Sequence, residues 1–167
     1  FEYTTLNVYH WRDYISDGTD VSVDVIKEFE KLTGINVNYS TFDSNETMYS
    51  QLKNGGVAYD VIAPSDYMIE RLIREDMLAN IDTSSLSNFN LIEDKYKSLY
   101  FDPENKYTVA YNVGLVGLIY NTNVVKKAPD SWKILWDKNY QDQILMFNNP
   151  RDAFAIAQFL LGQDLNN

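Results

Sequence analysis

Aromatic, carboxylate and hydroxyl side chains cluster at three points of the sequence, each at the end of an extended apolar segment. LNVYHW runs into Trp11, Arg12, Asp13 and Tyr14; YDVIA runs into Pro64, Ser65, Asp66 and Tyr67; QILMF runs into Asn149, Pro150, Arg151 and Asp152. Ring faces beside acids suit an organic cation. An ammonium over a ring within about 6 Å gains roughly 0.5–2 kcal/mol, and a hydrogen bond to an ionised acceptor contributes about 1.5–3 kcal/mol. Several of each reach micromolar affinity or tighter. If the three segments are parallel strands of open α/β sheets, the clusters stand at the carboxyl ends, where such sheets bind ligands.

Each of these residues also has a purely structural use. With 13 Tyr and 3 Trp in the chain, any one aromatic is more often packing than contact. Asp13 reads equally as a solvated loop acid, and Ser65 or Asp66 as a helix N-cap. Asp152 would complement the positive end of a following helix, worth about 0.3–1 kcal/mol. Arg151 reads as a surface charge or as an orienting partner of Asp152, and Trp132 and Trp136, four apart on a short helix, read as packing. His10 is the only histidine and lies inside a strand pattern, so no Ser–His–Asp triad forms without it. Gly55-Gly56 lacks the Lys and Ser or Thr of a phosphate loop. The best catalytic alternative is a glycosidase-like pair of Asp13 and Asp152 flanking an aromatic cleft. A receptor for sugars or another small molecule is the other alternative. No cofactor is implied.

The elements that must position these clusters follow from hydrophobic period and punctuation. An extended run over 6–11 precedes a helical stretch in which Val25, Ile26, Phe29 and Leu32 share a face, ended by Gly34. A second extended run, 35–41, leads through Asp43, Ser44, Asn45 and Glu46, where a capping pattern opens a short helix carrying Met48, Tyr49 and Leu52; Gly55 and Gly56 close it. A strand over 59–63 is followed by a helix with Met68, Ile69, Leu72 and Ile73 on one side, then a polar loop over 82–90. The order βαβαβα predicts a parallel sheet with right-handed connections, covered on both faces. Beyond Pro103, residues 107–121 are uncharged and extended, longer than a typical strand, and are expected to pass between two lobes. A short helix over 131–136, a strand over 144–147 and an apolar-faced helix over 153–161 complete the pattern.

Composition narrows the class. A chain of 167 residues, 45% hydrophobic, can bury a core, and it has no apolar run near the roughly 18 residues of a membrane span. Fourteen basic residues against 24 acidic ones give a net charge of -10, which disfavours nucleic acid and anionic headgroups and favours a cation. Zero cysteines exclude disulfides, thiolate zinc and a thiol nucleophile. Phe1 already opens a strand-like segment, so the chain is expected either to be cytosolic or to begin after a cleaved export signal.

With VYHWRDY, GINVNYSTFDSNETMYSQL, AYDVIAPSDYMIERLIREDML, FDPENKYTVAYNVGLVGLIYN, SWKILWDKNY and PRDAF in family order and spacing, the chain resembles the amino-terminal half of bacterial spermidine/putrescine-binding proteins, extracytoplasmic receptors of polyamine ABC transporters. The resemblance implies an α/β, type II periplasmic-binding-protein-like, two-lobed fold. Residues 1–108 would form a nearly complete first lobe, and 109–167 a hinge-crossing strand and the truncated start of the second. It implies a polyamine ligand captured in the periplasm or at the cell surface on a lipoprotein, and permease subunits as partners. Trp11 and Tyr14 match the aromatic walls of the family's cleft, Asp13 an amine-pairing acid, Ser65 and Tyr67 the serine and tyrosine after the third strand, and Asp152 an acid of the second lobe. Arg12 departs from a small polar residue, Asn149 from a frequent carboxylate, and Val113 from a tryptophan of some relatives. Losing a charge at Asn149 leaves open the balance between a dicationic and a tricationic ligand. A half-cleft would bind weakly and is expected to pair with another copy. A Trp11 ring reserved for ligand would add little to the stability of the unliganded protein.

Overall fold

In a computed structural model, which describes residues 4–146 and 149–164, the chain divides into two compact units, Phe1–Asn112 and Val113–Asn167. The first is built on a parallel sheet of three strands in the order β2-β1-β3: β1 (Thr5–Trp11), β2 (Asn36–Phe42) and β3 (Val61–Ile62). Helix α1 (Val25–Thr33) connects β1 to β2, and α2 (Asn45–Asn54) connects β2 to β3; α3 (Asp66–Arg74) follows β3. β1 pairs with β2 along its whole length, Thr5 opposite Asn36 and Trp11 opposite Phe42, so the two strands end level. β3 is shorter than its sequence suggests. The Asp60 carboxylate accepts from both the backbone and side-chain amides of Asn7 (2.8 and 3.2 Å), and Pro64, which has no N–H to give a ladder, stands just past its other end.

Local signals place the helices. Asp24 caps α1 through Lys27 N (3.0 Å), and Gly34 closes it at φ 74°, a left-handed position where a Cβ would be strained. Ser44 caps α2 through Thr47 N (3.1 Å). Alternation along β1 then sends Tyr9 and Trp11 to one face and Val8 and His10 to the other. The first face carries the core: Tyr9, Phe42, Met48, Met68 and Leu72 are buried, with Trp11, Tyr49, Leu52, Ile62 and Tyr67 packed around them. Tyr9 stacks on Tyr59 (4.5 Å) and meets Phe42 edge-on (5.0 Å).

The second face departs from the expected full cover. α1 buries none of its residues, and Phe29 and Leu32 of its apolar stripe are 37% and 81% exposed. What covers this face in part is aromatic: His10 stacks on Tyr39 (6.1 Å) and receives Tyr111 edge-on (4.9 Å). His10 is thus buried packing, its Nδ1 3.2 Å from the Trp11 carbonyl.

Two polar clusters tie loops and helices together. The buried Asp102 carboxylate accepts from the backbone amides of Lys106, Tyr107 and Thr108 (2.9 Å each) and from the Thr108 hydroxyl (2.8 Å). Asp102→Ala strands these donors and is expected to cost about 2–3 kcal/mol in denaturant unfolding, with Asp102→Asn in between. Between α2 and α3, Glu75 takes Lys53 (2.6 Å), Tyr49 (2.7 and 2.9 Å) and Arg71 (3.0 Å). The Lys53 ammonium first, then the Tyr49 hydroxyl and the Arg71 guanidinium, hold this carboxyl down from 4.5 to about 2. A depressed carboxyl contributes stability above its unfolded pKa and loses it as pH falls through the folded one. The stability difference between the protein and Glu75→Gln is therefore expected to be constant at neutral pH, to shrink below 4.5 and to vanish near 2, and to weaken with salt.

The second unit holds α4 (Pro150–Leu160), with Ile156 buried, and a short 3₁₀ helix at Trp132–Trp136. Three sequence expectations change here. Residues 132–136, capped by Ser131, form 3₁₀ rather than α-helical turns, so side chains four apart no longer share a face, and Trp136 is 53% exposed. Residues 144–146 form no strand, and Phe147, the last residue of that expected strand, lies outside the described residues. Nor do residues 107–121 form a strand; among the described residues no neighbour completes a ladder with them, and Leu115 and Ile119 are fully or nearly fully exposed.

Candidate functional site

Because β1 and β2 end in register, the residues that follow each strand emerge side by side. Trp11, Arg12, Asp13 and Tyr14 from β1, with Phe42 and Asp43 from β2, line a pocket of about 300 Å³ at the carboxyl edge of the sheet. Trp11 lines it with its ring 4.7 Å from Phe42 and with Tyr14 edge-on at 6.2 Å. The Tyr14 backbone is fixed from outside, its carbonyl accepting from the Tyr111 hydroxyl (2.6 Å). Among the described residues Asp13 has no hydrogen-bond or ion-pair partner, so its carboxylate is available to a bound cation. Arg12 is engaged with Asp43 through Nε (3.2 Å), a pair exposed on both sides and hence easily exchanged.

Ser65 and Tyr67 lie beyond β3 at the same edge and are organised by a residue the sequence reading did not select. Asn45, 2% exposed, donates from Nδ2 to Ser65 Oγ (3.0 Å) and to the Tyr67 hydroxyl (2.9 Å), and its Oδ1 accepts from Ser65 N (3.1 Å). The Tyr67 hydroxyl in turn donates to Glu46 Oε1 (3.0 Å). Ser65 occupies the N-cap position of α3 yet makes no side-chain cap hydrogen bond, its hydroxyl being drawn to Asn45. Asp43, which lines the pocket, likewise escapes the sequence; the signal available for it was the level ending of two parallel strands.

Asn149 and Asp152 belong to the second unit, at the start of α4. Asn149 does not cap the helix with its side chain; its Nδ2 donates to Asp152 Oδ2 (2.8 Å) instead. Among the described residues, nothing else bonds the half-buried Asp152 side chain. Arg151 beside it is exposed. Among the described residues no group of His, Asp or Glu is placed to hold a metal ion, and no helix is long and apolar enough to cross a membrane.

Residues 58–165 match the family described as bacterial extracellular solute-binding protein. A spermidine/putrescine-binding periplasmic protein of Salmonella typhimurium is 36% identical over 97% of this chain and 45% of its own length. A putrescine-binding periplasmic protein of Escherichia coli is 31% identical over 99% of this chain and 47% of its own. Among solved structures, a putative spermidine/putrescine ABC transporter protein from Listeria monocytogenes superposes with a TM-score of 0.89 at 37% identity, over 98% of this chain and 49% of its own. A Treponema pallidum lipoprotein gives 0.86 at 28% identity, over 98% and 50%. The chain spans about half the length of the relatives it matches.

Proposed function

The chain belongs to the bacterial extracellular solute-binding protein family, and on that premise we propose that it captures a polyamine, spermidine or putrescine, outside the cytoplasmic membrane for delivery to an ABC importer. The observation that carries this reading is the pocket in which the Trp11 ring lies among Asp13, Tyr14 and Asp43. A polyamine is a row of ammonium groups on methylene spacers. Each ammonium is donor-only and needs carboxylates or hydroxyl lone pairs, while the spacers need a ring face that excludes water.

Asp13 takes one ammonium, with Trp11 and Tyr14 covering the adjoining methylenes. Ser65 and Tyr67 add hydroxyl oxygens; on the second unit, Asp152, braced by Asn149, offers a carboxylate suited to an ammonium. Arg12 tempers the charge by holding Asp43. The net charge of -10 draws a cation toward the site, an effect that salt screens. The role is that of a receptor in the periplasm or anchored at the cell surface, with the importer's permease as its partner.

Calorimetric titration of the full-length gene product with spermidine, putrescine and a disaccharide tests the reading. Micromolar or tighter polyamine binding that weakens with salt is expected. Binding of the disaccharide with no response to either polyamine would overturn it in favour of a sugar receptor.

A further inference from the structure

We infer that Asn45 is a positioning residue of the ligand site, its amide locking Ser65 and Tyr67 into the arrangement that receives the ligand before the ligand arrives. The inference rests on the polyamine reading and deepens it.

An asparagine side chain has one acceptor and two N–H donors, and here both ends are used on a single target, the β3–α3 corner. Oδ1 takes the Ser65 amide (3.1 Å), and Nδ2 reaches Ser65 Oγ (3.0 Å) and the Tyr67 hydroxyl (2.9 Å). Asn45 is 2% exposed, so no water competes for these bonds. The arrangement has a local cost that a purely structural role would not require. Ser65 stands at the N-cap of α3, where its hydroxyl would ordinarily take a helix amide, and it makes no such bond.

The direction of the bonds also matters. The Tyr67 hydroxyl donates its own proton to Glu46 (3.0 Å), so the Asn45 N–H is received by a lone pair of the same oxygen. Two contacts, one from α2's first residue and one from its second, therefore fix both the position and the proton of Tyr67. Ser65 Oγ, receiving one N–H from Asn45, retains a second lone pair for an ammonium. The Asn45 amide thus sets which lone pairs a donor-only ligand meets, and it does so without ordering entropy at the moment of binding.

Asn45→Asp keeps the shape and removes both donors, facing two hydroxyl oxygens with a carboxylate that recruits their protons and reorients them. Spermidine and putrescine affinities are measured by calorimetry on the folded full-length protein, for wild type, Asn45→Asp, Tyr67→Phe and the double variant. Asp102→Asn serves as a destabilised control away from the site. Asn45→Asp is expected to weaken binding about tenfold, and by less in the Tyr67→Phe background, because part of its effect passes through the Tyr67 hydroxyl and the rest through Ser65. Asp102→Asn is expected to lower the melting temperature and leave affinity within about twofold. If Asn45→Asp lowers the melting temperature while affinity stays within twofold, or if its loss is the same in both backgrounds, Asn45 only holds the fold and the inference is overturned. Failure of the wild type to bind either polyamine would instead remove the functional reading, and this inference with it.

Discussion

Trp11→Ala is expected to weaken polyamine binding about ten- to hundredfold and also to lower the melting temperature of the unliganded protein. The first effect follows from truncating an aromatic face that covers the ligand's methylenes, worth roughly 1–3 kcal/mol. The second corrects the expectation drawn from sequence, in which the ring was reserved for ligand. Trp11 is half-buried, 4.7 Å from Phe42, and packs against the core cluster of Tyr9, Met48, Met68 and Leu72. The Trp11 ring thus serves both the core and the pocket lining. Trp11→Phe separates the two roles: it keeps a ring against Phe42 and should recover most of the stability, but the smaller ring should recover only part of the affinity. Thermal unfolding without ligand and calorimetry with spermidine, on both variants, check this. A melting temperature that falls while affinity is unchanged would place Trp11 wholly in the core.

That double duty marks the boundary of what the sequence discloses. β1, α1, α2 and α3 were legible because their determinants are local: a period of two or of 3.6, a cap at Asp24 or Ser44, a stop at Gly34. The positions after β1 and β3 were legible as strand ends, where such sheets bind ligands. The rest depends on partners distant in sequence. Asn45 looks like any residue in a capping pattern, and its meaning comes from Ser65 and Tyr67, 20 and 22 positions on. Asp43 joins the pocket only because β1 and β2 end level. The apolar runs at 107–121 and 144–146 carry strand-like composition, but a strand also needs a neighbour to bond, and composition does not supply one. The exposed face of α1 makes the same point, since amphipathic spacing says which side wants cover and not whether cover is present.

Asp152→Asn is expected to be the more damaging change at the start of α4, and Asn149→Asp to act in a direction that depends on pH. Removing the Asp152 charge forfeits an ionised acceptor, about 1.5–3 kcal/mol or roughly ten- to hundredfold in affinity for either polyamine. Asn149 is no bystander, because its amide donates to Asp152 (2.8 Å) and holds that carboxylate in place. Asn149→Asp replaces that donor with a second carboxyl at hydrogen-bond distance. Two such groups resist ionising together, so in the unliganded variant the pair is expected to hold one proton to a higher pH than a lone carboxyl would. Ligand binding then has to expel that proton. At low pH the variant should bind no better than the original protein. At a pH above the raised step both carboxylates are ionised, and the added charge should strengthen spermidine more than putrescine, the tricationic ligand having more charge to place. Titrations of both ligands across this range, in two buffers of different ionisation enthalpy, would register the released proton directly. A pH-independent gain, equal for the two ligands, would mean that Asn149 and Asp152 do not share the site assigned to them.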